Sequence, residues 1–479
     1  MSFPKFQTNW LILIGLVVLS LGFHSYNLEF ASYDLDEAVH IWHAQRTYAE
    51  VVEQSSHDPN PPIYNLILSV WVKTFGVSEF ATRFFSVLMG ALGVGLMFLV
   101  ASRNFGLTVG VMAALFYCFS PIQFRFTHLA RPYSMLMVTV LLSYGLLLEC
   151  LRKPTSLKLF LYYLATTLMI YVHPTSVFNI PAQGLIALLV HYKEPKVLGK
   201  LILPLVGSVL SFGIWVMAIP YFERDDAMWF GPPDLDAVWY VINVFYGNVY
   251  LIIGQLFLLG AIVYHLTERK TELNSKYIAA IAVWMVIPFV ISIAFSHVVK
   301  PVFQDKYILS VQPAFMLMLA VCIASISKEW MRGAAFGAVV VVLCMSVNTK
   351  QQAEGDWRKA VTYLDSRHST SSMIFIDPWY EFRTFSYYFD RHAYEVPDST
   401  VKLIVEKGAT FAWHDIYNSE TGLAKVDKVH IIRAHADVNE PAVNQQLLDS
   451  VATLVEAQDF VGINVRTYEF NDFAKPKID

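Results

Sequence analysis

The chain predicts an all-α polytopic membrane protein with a small C-terminal α/β soluble domain, and three observations carry that reading. Of its 479 residues 55% are hydrophobic and only 15% charged, and the mean hydropathy is +0.45, too apolar for an ordinary soluble globule. Apolar windows long enough to cross a hydrocarbon core of ~30 Å recur between residues 10 and 348, about eleven of them. After residue 349 the long apolar runs stop, and short strand-like and helix-like segments alternate instead. The expected domains are therefore 1–348, a transmembrane domain, and 349–479, an α/β domain outside the membrane.

The first apolar segment, from Trp10, has only Lys5 before it and no small-residue cleavage site after it, so it is expected to be a retained span. The stretch "PPIYNLILSVWVKTFG" at 61–76 is short, starts with proline and contains Lys73; such segments lie flat at the interface more often than they span. Loop charges arbitrate. With a flat 61–76 segment and a cytoplasmic N-terminus, the cytoplasmic loops carry Arg103, then Arg152, Lys153 and Lys158, then Lys193, Lys196 and Lys200, then Arg269, Lys270 and Lys276, then Lys328 and Arg332, which satisfies the positive-inside rule. A multi-pass protein of the cell (inner) membrane, its C-terminal domain extracytoplasmic, is the expectation. One external face then collects "YDLDEA", "HDPNPP", "HLARPY", "YVHP", "ERDD" and "FQDKY". The formal net charge of -4 carries no nucleic-acid signature. Cys118, Cys150, Cys322 and Cys344 lie far apart in apolar runs and read as buried free thiols.

The C-terminal segment breaks down as a helix at "GDWRKAVTYLDSR", a strand at "SMIFID", a helix at "EFRTFSYYFDR", and strands at "ATFAWHD", "KVHIIRA" and "GINVRTYEF" around a helix near 439–457.

From Leu35 the first external loop has the period of one amphipathic helix, with Asp36, His40, His43, Thr47 and Glu50 on its polar face. Asp34 with Glu37 is a D-x-x-E capping box. Asp36 is off the cap and faces His40 and His43 at i+4 and i+7, so it is the candidate functional carboxylate; divalent-metal ligation by Asp36, His40 and His43 is the alternative use of that spacing. Pro61 and Pro62 make a rigid turn that can aim Asn60 or Tyr64 into the same cavity. Arg125 reads as an interfacial arginine snorkelling to headgroups. Arg131, beside Pro132 and Tyr133, suits bidentate binding of a lipid phosphate. Lys306, next to Tyr307, and Arg83 are further cations at external span ends, against the general charge bias; Asp305 and Lys306 can also simply neutralise each other. His128 and His173 sit at span boundaries. Asp356 and Trp357 read as a helix start.

The segments "YDLDEAVHIWHAQ", "DPNPPIYNLILSVWVKTFGVSEFATRFFSVLMGALGV", "SPIQFRFTHLARPYSML", "YVHP", "QDKYILSVQPAF" and "GDWRKAVTYLDS", in this order and at this spacing, resemble the prokaryotic integral-membrane C-type glycosyltransferases similar to dolichyl-phosphate-mannose protein mannosyltransferases. The resemblance implies transfer of a sugar from a polyprenyl-phosphate carrier to a lipid, protein or glycan acceptor on the external face, among membrane lipids. It places Asp36 and Glu37 at the catalytic centre. Arg131, Lys306, Arg83 and Tyr307 are the choices for the donor phosphate, and Asn60, Tyr64, His128, Tyr133 and His173 for the cavity lining. No cofactor is required by this reading, with a divalent metal as the open alternative. Relatives read His-Pro-Pro where this chain has Asn60-Pro61-Pro62, and Gln-Glu-Ala-Arg where it has His128-Leu129-Ala130-Arg131. The competing class is a transporter or flippase of lipid-linked sugars.

Overall fold

The computed structural model describes residues 9–56, 60–218, 231–246, 275–350, 355–411, 426–434 and 452–470. The expected span at 246–266, the "ERDD" segment, residues 412–415 of the "ATFAWHD" strand and residues 439–451 of the expected helix lie outside the described residues. The chain divides into two compact units: Met1–Tyr26, Val52–Leu66 and Arg83–Thr349 form the first, and Asn27–Val51, Ile67–Thr82 and Lys350–Asp479 the second.

The first unit is helical. Five helices among the described residues are long and apolar enough to cross a membrane: Glu79–Phe105, Tyr133–Arg152, Pro195–Ala218, Lys276–Val298 and Glu329–Ser346. The window expected as one span at 107–126 is a pair of helices, Leu107–Cys118 and Pro121–Thr127, bent by 57°. Pro121 explains the break, because it supplies no N–H and starts a new helix with Pro at its first position. The first apolar helix, Trp10–His24, begins where Asn9 accepts the N–H of Ile12 at 3.2 Å. Gly90 lets the Glu79–Phe105 helix approach the Pro121–Thr127 helix; a Cβ there would stand 2.5 Å from Thr127 Cγ2.

Buried polar groups join the helices of this unit. Ser143 bonds Thr166 at 2.8 Å and accepts from Gln183 at 2.9 Å, Tyr162 donates to Gln183 at 2.8 Å, and Tyr144 donates to Asn179 at 3.1 Å while its ring stacks on Trp284 at 3.9 Å. Hydrophobic attraction between spans vanishes in lipid, so packing and such hydrogen bonds hold them together. Three of the expected loop cations, Arg103, Arg152 and Lys158, gather on one carboxylate, Glu149. Cys118, Cys150 and Cys322 are buried, whereas Cys344 is exposed, contrary to expectation; its helix, Glu329–Ser346, turns most of its surface outward.

In the second unit, β1 (Ser372–Asp377), β2 (Ala409–Thr410), β3 (Lys428–Ala434), β4 (Ala452–Phe460) and β5 (Ile463–Phe470) form a mixed sheet of order β2-β1-β3-β5-β4. β1 pairs parallel with β2 and β3, while β5 pairs antiparallel with β3 and β4. Met373, Phe375, Val429, Ile431, Tyr468 and Phe470 belong to its core. Residues 452–457, expected at the end of a helix, are strand: Gly462 at φ 63° closes a hairpin that gives β4 a ladder with β5, and that pairing overrides local helical period. The helix Trp357–Asp365 starts as expected at Asp356, which accepts Lys359 N–H at 3.3 Å.

The unit also holds the first-loop helix. Tyr394 donates to the Ala38 carbonyl at 2.7 Å, Trp42 Nε1 donates to Thr400 at 3.0 Å, and Tyr33 N–H donates to Tyr388 at 2.6 Å. Arg358 reaches the Glu29 carbonyl at 3.0 Å and pairs with Glu79, which also takes the Tyr388 hydroxyl. The D-W-R stretch is thus structural at each position: a cap, a buried Trp357 and an ion-paired Arg358.

Candidate functional site

In the second unit the acidic motif resolves into distinct roles. Asp34 accepts the Glu37 N–H at 2.6 Å, and Glu37 Oε2 accepts the Asp34 N–H at 3.3 Å, a complete capping box on the helix Leu35–Ala44 worth about 1 kcal/mol. Glu37 is fully buried. Asp36, in the same first turn, is exposed, so it alone of the three presents its carboxylate outward. The single long amphipathic helix expected from Leu35 is two helices, Leu35–Ala44 and Tyr48–Ser55. A second T-x-x-E box breaks it: Thr47 N–H donates to Glu50 at 2.9 Å, and Thr47 Oγ1 accepts the Glu50 N–H at 3.4 Å. Of the expected polar face, His40 is buried at 7% exposure.

His43 lies among cations. Its ring meets the edge of Trp42 at 5.0 Å, and the guanidinium carbons of Arg46 and Arg383 stand 4.6 and 4.7 Å from the Trp42 ring centre. Burial first, then the charge of Arg383, pushes the His43 imidazole down to about 3. Guanidinium groups repel a metal ion, and among the described residues no three His, Cys, Asp or Glu side chains form a metal-binding group.

In the first unit five of the candidates come together from three separate segments. Arg131 donates to Tyr133 Oη at 3.3 Å, and the rings of Tyr133 and Tyr307 lie 5.9 and 5.6 Å from that of His173. His173 Nδ1 and Thr175 Oγ1 are 2.8 Å apart, and Thr175 donates to the Tyr307 carbonyl at 2.5 Å. Lys306 Nζ stands 5.5 Å from the Tyr307 ring centre. His173 directly follows the helix Ser156–Val172; burial, then the charges of Arg131 and Lys306, push its imidazole down to about 3. Two cations thus act on a neutral imidazole, an arrangement suited to a phosphate.

The neighbouring ion pair differs from expectation. Arg125, read as a snorkelling residue, binds Asp305 at 2.7 Å, and Asp305 also accepts the backbone N–H of Lys306 at 2.7 Å. Asp305 is held by Arg125 and fixes the Lys306 backbone. Arg83 is buried at 1% exposure, one turn into the Glu79–Phe105 helix. Tyr64 is buried against the Phe85 ring at 6.3 Å, and Asn60 is partly exposed ahead of Pro61. His128 is committed to backbone, its Nδ1 and Nε2 each 2.9 Å from a carbonyl oxygen, of Phe124 and Tyr26. Sequence reasoning missed Thr175, although it stands inside the "YVHPTS" stretch, and missed Arg46 and Arg383, which carry no motif.

The crystal structure of ArnT from Cupriavidus metallidurans in the apo state superposes with a TM-score of 0.60 at 14% identity, over 96% of this chain and 98% of that one. The chain has the membrane C-type glycosyltransferase fold. ArnT bound to undecaprenyl phosphate matches this fold equally, with TM-score 0.60 and 13% identity over 98% of this chain and all of the other. The apo oligosaccharyltransferase of Archaeoglobus fulgidus matches at TM-score 0.50 and 10% identity, over 99% of this chain and 76% of that one. Residues 59–221 match the family described as dolichyl-phosphate-mannose-protein mannosyltransferase. No curated protein sequence matches the chain significantly.

Proposed function

We propose that the protein transfers a sugar, with inversion, from a polyprenyl-phosphate carrier to a hydroxyl acceptor at the extracytoplasmic face of the inner membrane. The grouping of Arg131, Tyr133, His173, Lys306 and Tyr307 within the first unit is the observation that carries this reading. In the proposed reaction Asp36 takes the proton of the acceptor hydroxyl. The oxygen lone pair attacks the anomeric carbon, the bond from that carbon to the phosphate oxygen breaks, and its electron pair leaves on the polyprenyl phosphate. A base needs direct or one-water reach to the hydroxyl, and exposed Asp36 offers an outward carboxylate. Arg131 and Lys306 stabilise the phosphate charge that develops on the leaving group, with Arg83 and Tyr307 as further members of the donor site. Glu37 holds the helix that presents Asp36. The donor linkage is already activated, so no nucleotide is required, and transmembrane domain 1–348 with extracytoplasmic domain 349–479 remains the proposed organisation.

A transporter of lipid-linked sugars would use the same cations, and the broken pair Leu107–Cys118 and Pro121–Thr127 is the kind of element transporters employ. Transfer of radiolabelled sugar from polyprenyl-phosphate donors, in membranes carrying the wild type or Asp36→Asn, separates the assignments. The proposal expects transfer by the wild type and a loss of about 10²-fold or more in the variant. Undiminished transfer in Asp36→Asn removes the base assignment, and movement of intact donor without transfer favours transport.

A further inference from the structure

The second unit contains buried donors that the transfer chemistry leaves unused. Arg383, on the helix Phe382–Phe389, has its guanidinium carbon 4.7 Å from the Trp42 ring centre and 4.5 Å from that of Phe382. Its Nε is buried without a hydrogen-bond acceptor, and so is Nδ1 of His43. Among the described residues no carboxylate pairs with Arg383. Arg46, the third cation-forming group here, is held at 3.1 Å by Asp398 and at 3.7 Å by Glu50, so its own charge is answered.

A buried donor left unmade costs free energy, and the cost falls on Arg383 and His43 together. Positive charge acts on both groups. Burial, then the charge of Arg46, pushes the Arg383 guanidinium down to about 10, and Arg383 is the charge that acts most strongly on His43. Trp42 is held in place by its hydrogen bond to Thr400 at 3.0 Å, so the guanidinium groups stand on a fixed aromatic surface. Forked guanidinium donors beside an imidazole nitrogen, which donates in the tautomer protonated at Nδ1, match the geometry of an oxyanion. All these groups stand on or beside the helix whose first turn carries Asp36.

We infer that Arg383 and His43, with Trp42 forming the wall, are an oxyanion-binding site for a carboxylate or phosphate group carried by the acceptor. The assignment of the acceptor as occupant rests on the transfer reading; the site itself does not. In that role the site selects an anionic acceptor and anchors it to the element that bears the base.

The test is anion binding by the full chain in phosphatidylcholine nanodiscs, in an Arg131→Ala, Lys306→Ala background that disables the proposed donor phosphate site. Calorimetric titrations with inorganic phosphate and with acetate are compared with discs doped with phosphatidylglycerol, in which a gain in melting temperature reports headgroup binding. The inference expects saturable binding of a soluble anion or stabilisation by the anionic headgroup, weakened about tenfold by Arg383→Gln and several-fold by Arg383→Lys, which keeps the charge but loses the fork. The arm that responds identifies the source of the oxyanion. Absence of binding in every arm, or an affinity unchanged by both Arg383 variants, overturns it. Arg383→Lys decides the case if Arg383→Gln fails to fold. Binding is read without turnover, so a chain that binds phosphate through Arg383 yet transfers no sugar supports the site and overturns the acceptor as its occupant.

Discussion

The two units each place a histidine among cations, and the two histidines differ in what holds them. His173 in the first unit is tied through Thr175 to the Tyr307 carbonyl, whereas His43 in the second keeps a buried Nδ1 without an acceptor. Both imidazoles are pushed down to about 3 by burial and then by nearby positive charge, so both are neutral donors or acceptors at physiological pH. The difference is one of completeness. The first cluster is internally ordered before any ligand arrives, as electrostatic catalysis requires, and the second retains donors that only a ligand or water can satisfy.

The largest effect that probes this contrast is expected at Arg131. Replacing it with alanine removes a preorganised cation from the proposed leaving-group site and is expected to lower kcat about 10²- to 10³-fold, as measured by transfer from a labelled donor in proteoliposomes. A second variant acts on the support of the same cluster. Asp305→Asn strips Arg125 of its charge partner, and the loss of a charged hydrogen bond is expected to cost about 1.5–3 kcal/mol, read as a lower melting temperature.

The pH dependence sharpens the comparison from the other side. Unfolded His43 takes up a proton near its ordinary value of 6.5, and folded His43 only at about 3. Between those values the unfolded state binds more protons, so the histidine's contribution lowers stability as pH falls through that window. His43→Gln is expected to flatten the fall in melting temperature between about pH 7 and about pH 4.5. The smallest effect is expected at Asp34, where Asp34→Ala removes the cap and costs about 1 kcal/mol, seen as a modest shift in thermal unfolding.

Much of the fold was legible because its signals are local. Long apolar runs marked spans, the D-x-x-E box marked the start of the Asp36 helix, and period-two patterns marked β1, β3 and β5. What was not legible depends on distant pairing. β4 is a strand because β5 lies beside it, and His40 is buried although its helical period places it on a polar face. The same division holds for the candidate site. Arg131, His173 and Lys306 stood out as charged or titratable residues at span ends, while Arg46 and Arg383 became visible only once the Phe382–Phe389 helix and the first-loop helix were in one unit. Adjacency in sequence suggested that Asp305 and Lys306 neutralise each other, and Arg125, 180 positions away, also pairs with the Asp305 carboxylate.

The account stands most directly on whether the chain cleaves the bond between sugar and polyprenyl phosphate. The decisive measurement is mass-spectrometric release of free polyprenyl phosphate from a polyprenyl-phosphate sugar in proteoliposomes with candidate acceptors. Release in step with sugar transfer is expected from the wild type, and its collapse in Arg131→Ala. Intact lipid-linked sugar that crosses the bilayer without releasing polyprenyl phosphate would contradict it.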